Sequence, residues 1–127
     1  MSRVINFRAW DKTYQKMYYN GFYVGSDGEL SFDPKVFTVG GYDPLNMEIM
    51  QYTGLKDKNG VELCEGDIIS NKKYFTKVVS WIDGGFRLSG IGYEEDYEKS
   101  IHINFAKSYD VLGNIYQNPE LLKNDTN

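Results

Sequence analysis

Short runs rich in aromatic and β-branched residues alternate with tight-turn signals, and this alternation limits the fold of the chain more than any other feature. The clearest signals are Ser-Asp-Gly at 26–28, Asn-Gly at 59–60 and Asp-Gly-Gly at 83–85. Such sequences place glycine where a hairpin turn needs a positive φ. The flanking residues alternate between apolar and polar, as in half-buried strands. The pattern predicts antiparallel hairpins.

Composition supports the same fold class. The 127 residues include eleven Tyr and seven Phe, and aromatic side chains favour pleated sheets. A chain of this length can bury a core without disulfides or metal, and the single cysteine, Cys64, can form no intramolecular bridge. We expect one domain, 1–127, with an N-terminal hairpin region (1–46), a barrel core (47–122) and a flexible tail (123–127).

Three stretches carry the hairpin pattern most clearly. "VINFRAW" at 4–10 returns through "MYY" at 17–19, "GFYVGSDGELSF" occupies 21–32, and "FTKVVSWIDGGFRLSG" occupies 75–90. In the first strand, alternation is expected to place Ile5, Phe7 and Ala9 on one side and Asn6 and Arg8 on the other.

Other segments give weaker or mixed signals. Residues 33–46 are interpreted as a loop around a brief "VFTV" strand, and "MEIMQYTGL" at 47–55 suits either a strand or a helical turn. "IHINF" at 101–105 predicts another strand. Near the C-terminus, Asn118 and Pro119 suit the N-cap and first residue of a short helical turn.

The stretch "GLKDKNGVELCEGDIIS" at 54–70 raises the question of whether it performs chemistry or forms a corner of the fold. Its composition favours the corner, because Asn-Gly and Glu-Gly-Asp are turn sequences and Asp often accepts hydrogen bonds from nearby backbone amides. Across the chain, the residues predicted to shape turns are Asn59, Gly60, Gly66, Asp67, Gly84 and Gly85.

Residues suited to catalysis or metal binding are few and scattered. The only histidine, His102, has no partner at a metal-ligand spacing. Cys64 lies beside carboxylates, which disfavour a reactive thiolate, and the acidic run at 94–98 lacks the pattern of a calcium loop. We therefore expect no enzyme activity, cofactor or metal. A site assembled from His102, Asp67 and Glu65 is the enzymatic alternative.

The N-terminal hairpin is the strongest candidate for a binding surface. Residues 1–20 hold four basic residues against one acidic residue. Basic and aromatic side chains together suit a protein interface or a platform for single-stranded nucleic acid, and they also suit an ordinary amphipathic hairpin. The candidate interaction surface consists of Arg8, Trp10, Lys12, Tyr14, Tyr18 and Tyr19.

Bulk charge and hydropathy restrict the location and the partners. The net charge of -4 does not favour binding to nucleic acid, which requires clustered Lys and Arg. No apolar run is long enough for a membrane span, and "MSRVINFRAWDK" lacks the apolar region of a signal peptide. We expect a cytoplasmic protein that has no membrane contact.

Four phrases in the same order resemble the YopX family of phage and prophage proteins of Firmicutes. They are "FRAWDK" at 7–12, "MQYTGLKDKNGVELCEGDII" at 50–69, "WIDGGF" at 81–86 and "VLGNIYQNPELL" at 111–122. The resemblance implies a complex, mostly β fold that contains a barrel. It supplies no catalytic residues, because the biochemical role of the family is uncharacterised.

The expected fold is therefore all-β, a complex fold of hairpins containing a small SH3-like β-barrel and a short C-terminal helical turn. The SH3-like comparison is an analogy of strand and turn rhythm, and such barrels serve many functions. The leading functional hypothesis is a non-enzymatic protein-interaction module that self-associates. The alternative is binding of single-stranded nucleic acid by the N-terminal hairpin.

Overall fold

The computed structural model describes residues 5–37, 41–71, 75–90 and 101–123. Within these ranges the chain forms eleven strands and two 3₁₀ helices. It divides into two compact units, an N-terminal unit of residues 7–50 and a C-terminal unit of residues 51–127 together with 1–6. The boundary falls inside one long strand, so this strand contributes to both units.

The N-terminal unit contains two antiparallel hairpins and the first part of the long strand. Its strands are β1 (Phe7–Asp11), β2 (Lys16–Tyr18), β3 (Phe22–Val24), β4 (Leu30–Phe32) and the start of β5 (Met47–Lys56). β1 lies between β2 and β5, and β3 and β4 form a separate two-stranded sheet. Both predicted N-terminal hairpins are confirmed, with Ala9 opposite Tyr18 and Val24 opposite Leu30.

An aromatic cluster forms the core of the N-terminal unit. The Tyr18 and Phe37 rings are stacked with centroids 4.3 Å apart, and Phe37 makes edge contacts with Phe32 and Tyr42. Ala9 packs in the same core. Such aromatic pairs each contribute about 0.5–1.5 kcal/mol beyond the burial of their area. Much of the aromatic content of this half of the chain therefore stabilises the fold.

Both sides of β1 are buried, including the side on which Arg8 lies. Every side chain from Arg8 to Asp11 is buried, and Arg8 is only 6% exposed. The aromatic cluster covers Ala9 on one face, and Arg8 and Trp10 on the other face are buried as well, so neither face of the strand is open to water. An alternation with a period of two residues predicts a solvated face only if one side of the sheet is open to water.

The C-terminal unit is built on a five-stranded antiparallel sheet. The strands of this unit are the end of β5, then β6 (Glu62–Cys64), β7 (Asp67–Asn71), β8 (Phe75–Ile82), β9 (Gly85–Ser89), β10 (Ile101–His102) and β11 (Asp110–Asn114). The order in the sheet is β10-β9-β8-β7-β11, and β6 pairs with β5. The sheet curls into a half-barrel, which confirms the expected all-β fold with a barrel-like core. Residues 47–55 thus belong to a strand.

The core of the C-terminal unit lies between this sheet and the first 3₁₀ helix, Ile103–Ser108. Its buried side chains are Leu63, Ile69, Val79, Leu88, Ala106 and Tyr109. The prediction of a strand over 101–105 is wrong beyond His102, whose Nδ1 accepts a hydrogen bond from the Asn104 backbone N–H and caps the helix. With three residues per turn, Ile103 and Ala106 lie on the same side of the helix and pack on the core.

The short helical turn near the C-terminus is confirmed as a 3₁₀ helix, Pro119–Lys123. The carbonyl of Asn118 accepts from the Leu121 N–H. The Asn118 side chain does not cap the helix as expected, because its Oδ1 accepts from the Asn114 N–H. Asn118 therefore ties the helix to β11.

Some predictions fall partly or wholly outside the described residues. Val36 and Phe37 lie in a turn, whereas the rest of the "VFTV" segment is not described. The acidic run at 94–98 and the tail residues 124–127 are also outside the described ranges.

Candidate interaction surface

The structure separates the six predicted surface residues into a buried and an exposed group. Arg8, Trp10 and Tyr18 are buried, at 6%, 4% and 7% exposure. Lys12, Tyr14 and Tyr19 are exposed. The six side chains therefore do not form one continuous platform.

Arg8 and Trp10 lie on β1, and Tyr18 lies on β2. Trp10 pairs with Met17, which is also buried, and Tyr18 packs in the aromatic cluster. A base could stack on Trp10 or Tyr18 only if these strands separated. The aromatic part of the predicted surface thus serves mainly to stabilise the hairpin.

The turn between β1 and β2 carries Lys12 and Tyr14, and the Asp11 carboxylate organises it. Asp11 is fully buried, and its Oδ1 accepts hydrogen bonds from the Thr13 and Tyr14 backbone N–H groups at 2.9 and 3.0 Å. Its Oδ2 accepts from the Asp43 N–H at 2.7 Å. A charged acceptor with several backbone donors makes strong hydrogen bonds, so Asp11 holds this turn against a second turn at 43–46.

Further hydrogen bonds join the two turns. The Thr13 Oγ1 donates to Asp43 Oδ2 at 2.6 Å and accepts from Asn46 Nδ2 at 3.0 Å. The Lys12 N–H donates to the Asn46 carbonyl. The second turn is closed by the Asn46 N–H, which donates to the Asp43 carbonyl. We call residues 12–15 and 43–46 the paired turns.

The paired turns present an apolar side chain that sequence reasoning missed. Leu45 is 96% exposed, and Tyr14 on the other turn is 50% exposed. Lys12 forms an ion pair with Glu48 at 2.7 Å, and such exposed pairs contribute at most about 1 kcal/mol. The Asp-Pro-Leu-Asn turn sequence was the signal that could have indicated Leu45, since the central residues of a turn face solvent.

Tyr19 lies apart from the paired turns. It follows β2 at the end opposite the β1–β2 turn and is 59% exposed, and Tyr23 on β3 is also exposed. The exposed tyrosines of the N-terminal unit are therefore distributed over its surface, and only Tyr14 lies on the paired turns.

The role of Asp11 can be measured. Asp11→Ala is expected to lower the free energy of unfolding by about 2–3 kcal/mol, because buried backbone donors lose a charged acceptor. Urea denaturation followed by tryptophan fluorescence would measure this loss. Asp27→Ala is the matched control, since among the described residues the exposed Asp27 carboxylate accepts from the Glu29 N–H alone, and its cost should stay below about 1 kcal/mol. Equal effects of the two changes would contradict the organising role of Asp11.

The residues of the enzymatic alternative all accept hydrogen bonds from backbone N–H groups. His102 is exposed and caps the 3₁₀ helix. The buried Asp67 accepts from the Cys64 N–H at 2.8 Å, and Glu65 Oε1 accepts from the Gln51 N–H. Within the described ranges, no group of three His, Cys, Asp or Glu side chains is placed to hold a metal ion.

The 54–70 stretch forms the predicted corner, and Asp57 is its centre. Asp57 Oδ1 accepts from the Asn59 and Val61 N–H groups, both at 2.8 Å, and Oδ2 accepts from the Val111 N–H at 3.0 Å. Burial of the carboxyl raises its pKa, but these hydrogen bonds and the nearby Lys58 charge outweigh burial and hold the pKa below its ordinary value. The carboxylate thus stays ionised and links the corner to β11.

Three of the glycines predicted to shape turns have a positive φ, whereas Gly85 lies in a strand. Gly60, Gly66 and Gly84 have φ values of 83°, 88° and 83°, a region in which L side chains are strained. Asp67 accepts from the backbone as expected. Gly85 begins β9, so Asp83 and Gly84 alone form the two-residue turn.

Neither helix in the described part of the chain has the length and apolar content that a membrane span requires.

Comparison with known proteins identifies the family. A family model described as YopX protein matches residues 6–123. The crystal structure of protein EF1440 from Enterococcus faecalis is 32% identical in sequence with a TM-score of 0.59, covering 95% of this chain and 99% of the matched chain. The X-ray structure of yopX from Bacillus subtilis is similar in fold, with 20% identity, a TM-score of 0.60 and coverage of 95% and 97%. No curated protein matches the sequence. The chain belongs to the YopX family.

Proposed function

We propose that this protein is a non-enzymatic interaction module that contacts protein, including a second copy of itself, through the paired turns. We further propose that it is encoded by a phage or prophage and acts in the cytoplasm of the bacterial host. The observation that carries the proposal is Leu45, a large apolar side chain that is 96% exposed on a turn held in place by hydrogen bonds.

An exposed Leu on one hydrogen-bonded turn and an exposed Tyr on the turn paired with it suit protein recognition. Binding through a preformed turn loses little conformational entropy, and tyrosine is enriched among the residues that dominate interface energies. The Asp11 and Asp43 hydrogen bonds supply that rigidity. The non-enzymatic part is supported by His102, Asp67 and Glu65, each of which accepts a hydrogen bond from a backbone N–H group.

Charge favours a protein partner over single-stranded nucleic acid. Of the basic residues predicted for the surface, Arg8 is buried and Lys12 is paired with Glu48. Binding to a phosphate backbone depends on free Lys and Arg charges, and stacking of bases depends on exposed aromatic faces. Burial of Trp10 and Tyr18 removes two such faces.

Analytical ultracentrifugation at micromolar concentration tests the self-association. We expect concentration-dependent association of the protein, reduced at least tenfold by Leu45→Asp, because burying an unpaired charge in an interface costs more than about 1.4 kcal/mol. Leu112→Asp is the matched control, since Leu112 is 49% exposed and belongs to the C-terminal unit.

Two outcomes would contradict the proposal. A strict monomer at high concentration would contradict self-association, and equal weakening by both variants would contradict the assignment to the paired turns.

Fluorescence anisotropy with labelled oligonucleotides, using Lys16→Ala and Tyr14→Ala, tests the alternative function, which is binding of single-stranded nucleic acid. Binding that falls steeply with salt and is lost in these variants would favour nucleic acid.

A further inference from the structure

The chain contains two asparagine–glycine pairs, Asn20-Gly21 and Asn59-Gly60, and the fold surrounds them differently. In such a pair the backbone nitrogen of glycine can attack the side-chain amide of asparagine. Glycine permits this attack most readily, because it has no Cβ to block the approach and allows the backbone to rotate.

Gly21 is held by packing. A Cβ added at Gly21 would lie 2.6 Å from the Cβ and Cγ1 atoms of Val36, and the Gly21 carbonyl accepts a hydrogen bond from the Asp33 N–H at 2.7 Å. Rotation of the backbone at Asn20-Gly21 therefore requires Val36 to move and this hydrogen bond to break.

Gly60 lies in open space. A Cβ added there would meet nothing within 4 Å, and both Asn59 and Gly60 are exposed. The Gly60 N–H donates to the Asp57 carbonyl at 3.2 Å, and Asn59 Nδ2 donates to Asp110 Oδ1 at 2.6 Å. Rotation of the backbone here is resisted by hydrogen bonds at an exposed turn. No side chain packed against Gly60 adds to that resistance.

We propose that Asn59 is a site of spontaneous deamidation and that the modification releases the corner from β11. The Gly60 nitrogen forms a bond to Asn59 Cγ, and the bond from Cγ to the side-chain nitrogen breaks. That nitrogen leaves as ammonia and takes the proton that the Gly60 nitrogen loses. Water then opens the resulting succinimide at either carbonyl, which gives aspartate or isoaspartate at position 59.

The product cannot make the contact that asparagine makes. The new carboxylate has no hydrogen to donate to Asp110, and it adds a negative charge beside Asp110 and the buried Asp57. The one nearby cation, among the residues that the structure describes at this turn, is Lys58, which already pairs with Asp110 at 3.2 Å. The new carboxylate at position 59 and the Asp110 carboxylate are both negative, and like charges in such close contact repel each other.

The repulsion acts on the bonds that hold the turn to β11. These are the Lys58 N–H to the Tyr109 carbonyl at 3.1 Å and the Val111 N–H to Asp57 Oδ2 at 3.0 Å. We therefore expect the modified protein to open locally at this corner and to unfold at a lower denaturant concentration.

Peptide mapping by mass spectrometry tests the site. The folded protein is incubated at mildly alkaline pH, and a second sample is incubated in denaturing urea. We expect Asn59 to convert to aspartate and isoaspartate several-fold faster than Asn20 in the folded protein, and the two sites to convert at similar rates in urea. Faster reaction of Asn20 in the folded protein would overturn the proposal. So would an unmodified Asn59 over a period in which the denatured chain reacts.

Variants test the consequence separately. Asn59→Asp reproduces one product, whereas Asn59→Ala removes the hydrogen bond without adding charge. We expect Asn59→Asp to lower the urea midpoint more than Asn59→Ala and to speed hydrogen exchange at the Lys58 amide. Asn20→Asp should leave that amide unchanged. Equal midpoints for the Asp and Ala variants, or unchanged exchange at Lys58, would overturn the release of the corner.

Discussion

Replacing Asp57 with alanine should lower the free energy of unfolding by about 3 kcal/mol, because a buried carboxylate is lost and its backbone donors remain. The N–H groups of Asn59, Val61 and Val111 all donate to this side chain. The first two close the corner and the third attaches it to β11. Equilibrium urea denaturation at neutral pH would measure the loss.

The asparagine variant separates the two carboxylate oxygens. Asp57→Asn keeps an acceptor oxygen for the N–H groups of Asn59 and Val61. Its side-chain NH₂ group would face the Val111 N–H, and two donors cannot form a hydrogen bond, so we expect about half of the alanine effect. An alanine variant that loses less than about 1 kcal/mol would contradict the central role of Asp57.

The same residue makes stability depend on pH in a defined direction. The pKa of Asp57 in the folded protein lies below its unfolded value of about 4. The stabilisation that the Asp57 carboxylate provides is therefore fully present above about pH 4, and it is lost as the pH falls through the pKa of the folded protein. The stability difference between the wild type and Asp57→Asn should shrink below about pH 4. A difference that stays constant into strong acid would contradict this expectation.

Replacing Gly113 with alanine should lower the free energy of unfolding by about 2–3 kcal/mol, as forced overpacking typically does. A Cβ at Gly113 would lie 2.6 Å from the Asn118 Cγ and closer still to its Oδ1. The Asn118 side chain would have to move away, and its hydrogen bond from the Asn114 N–H would break. The side-chain link between β11 and the last 3₁₀ helix would be lost with it, and only the backbone bond from the Asn118 N–H to the Asn114 carbonyl would remain between these two residues.

A double-mutant cycle shows whether Asn118 is the cause. Gly113→Ala should cost at least about 1 kcal/mol less when Asn118 is also alanine, because residues in contact do not act independently. Gly84→Ala is the control, since a Cβ there meets nothing within 4 Å and its cost arises from the positive φ alone. Its effect should be the same with and without Asn118→Ala. A Gly113→Ala cost that is unchanged by Asn118→Ala would contradict the steric explanation.

Features with short-range causes were predictable from the sequence. The Asp83-Gly84 turn, the strands around it and the corner at Asn59-Gly60 all follow from the positive φ that glycine allows and from local alternation. The short helix after Asn118 follows from proline at its first position. In each case the information lies within a few neighbouring residues.

The candidate surface depended on contacts that are distant in the sequence. Trp10 and Arg8 have the composition of a binding surface, but both faces of β1 are covered in the fold and these side chains are buried. Leu45 has the composition of a core residue, yet hydrogen bonds from a turn some thirty residues away hold its turn at the surface.

The sequence by itself determined where this chain turns and which segments extend, because φ preferences and side-chain alternation are local properties. Only the tertiary structure decided which faces meet water, since exposure depends on what packs against a strand from elsewhere in the chain. The 3₁₀ helix after His102 has the same cause, because the apolar alternation of "IHINF" favoured a strand and packing of Ala106 on the core favours the helix.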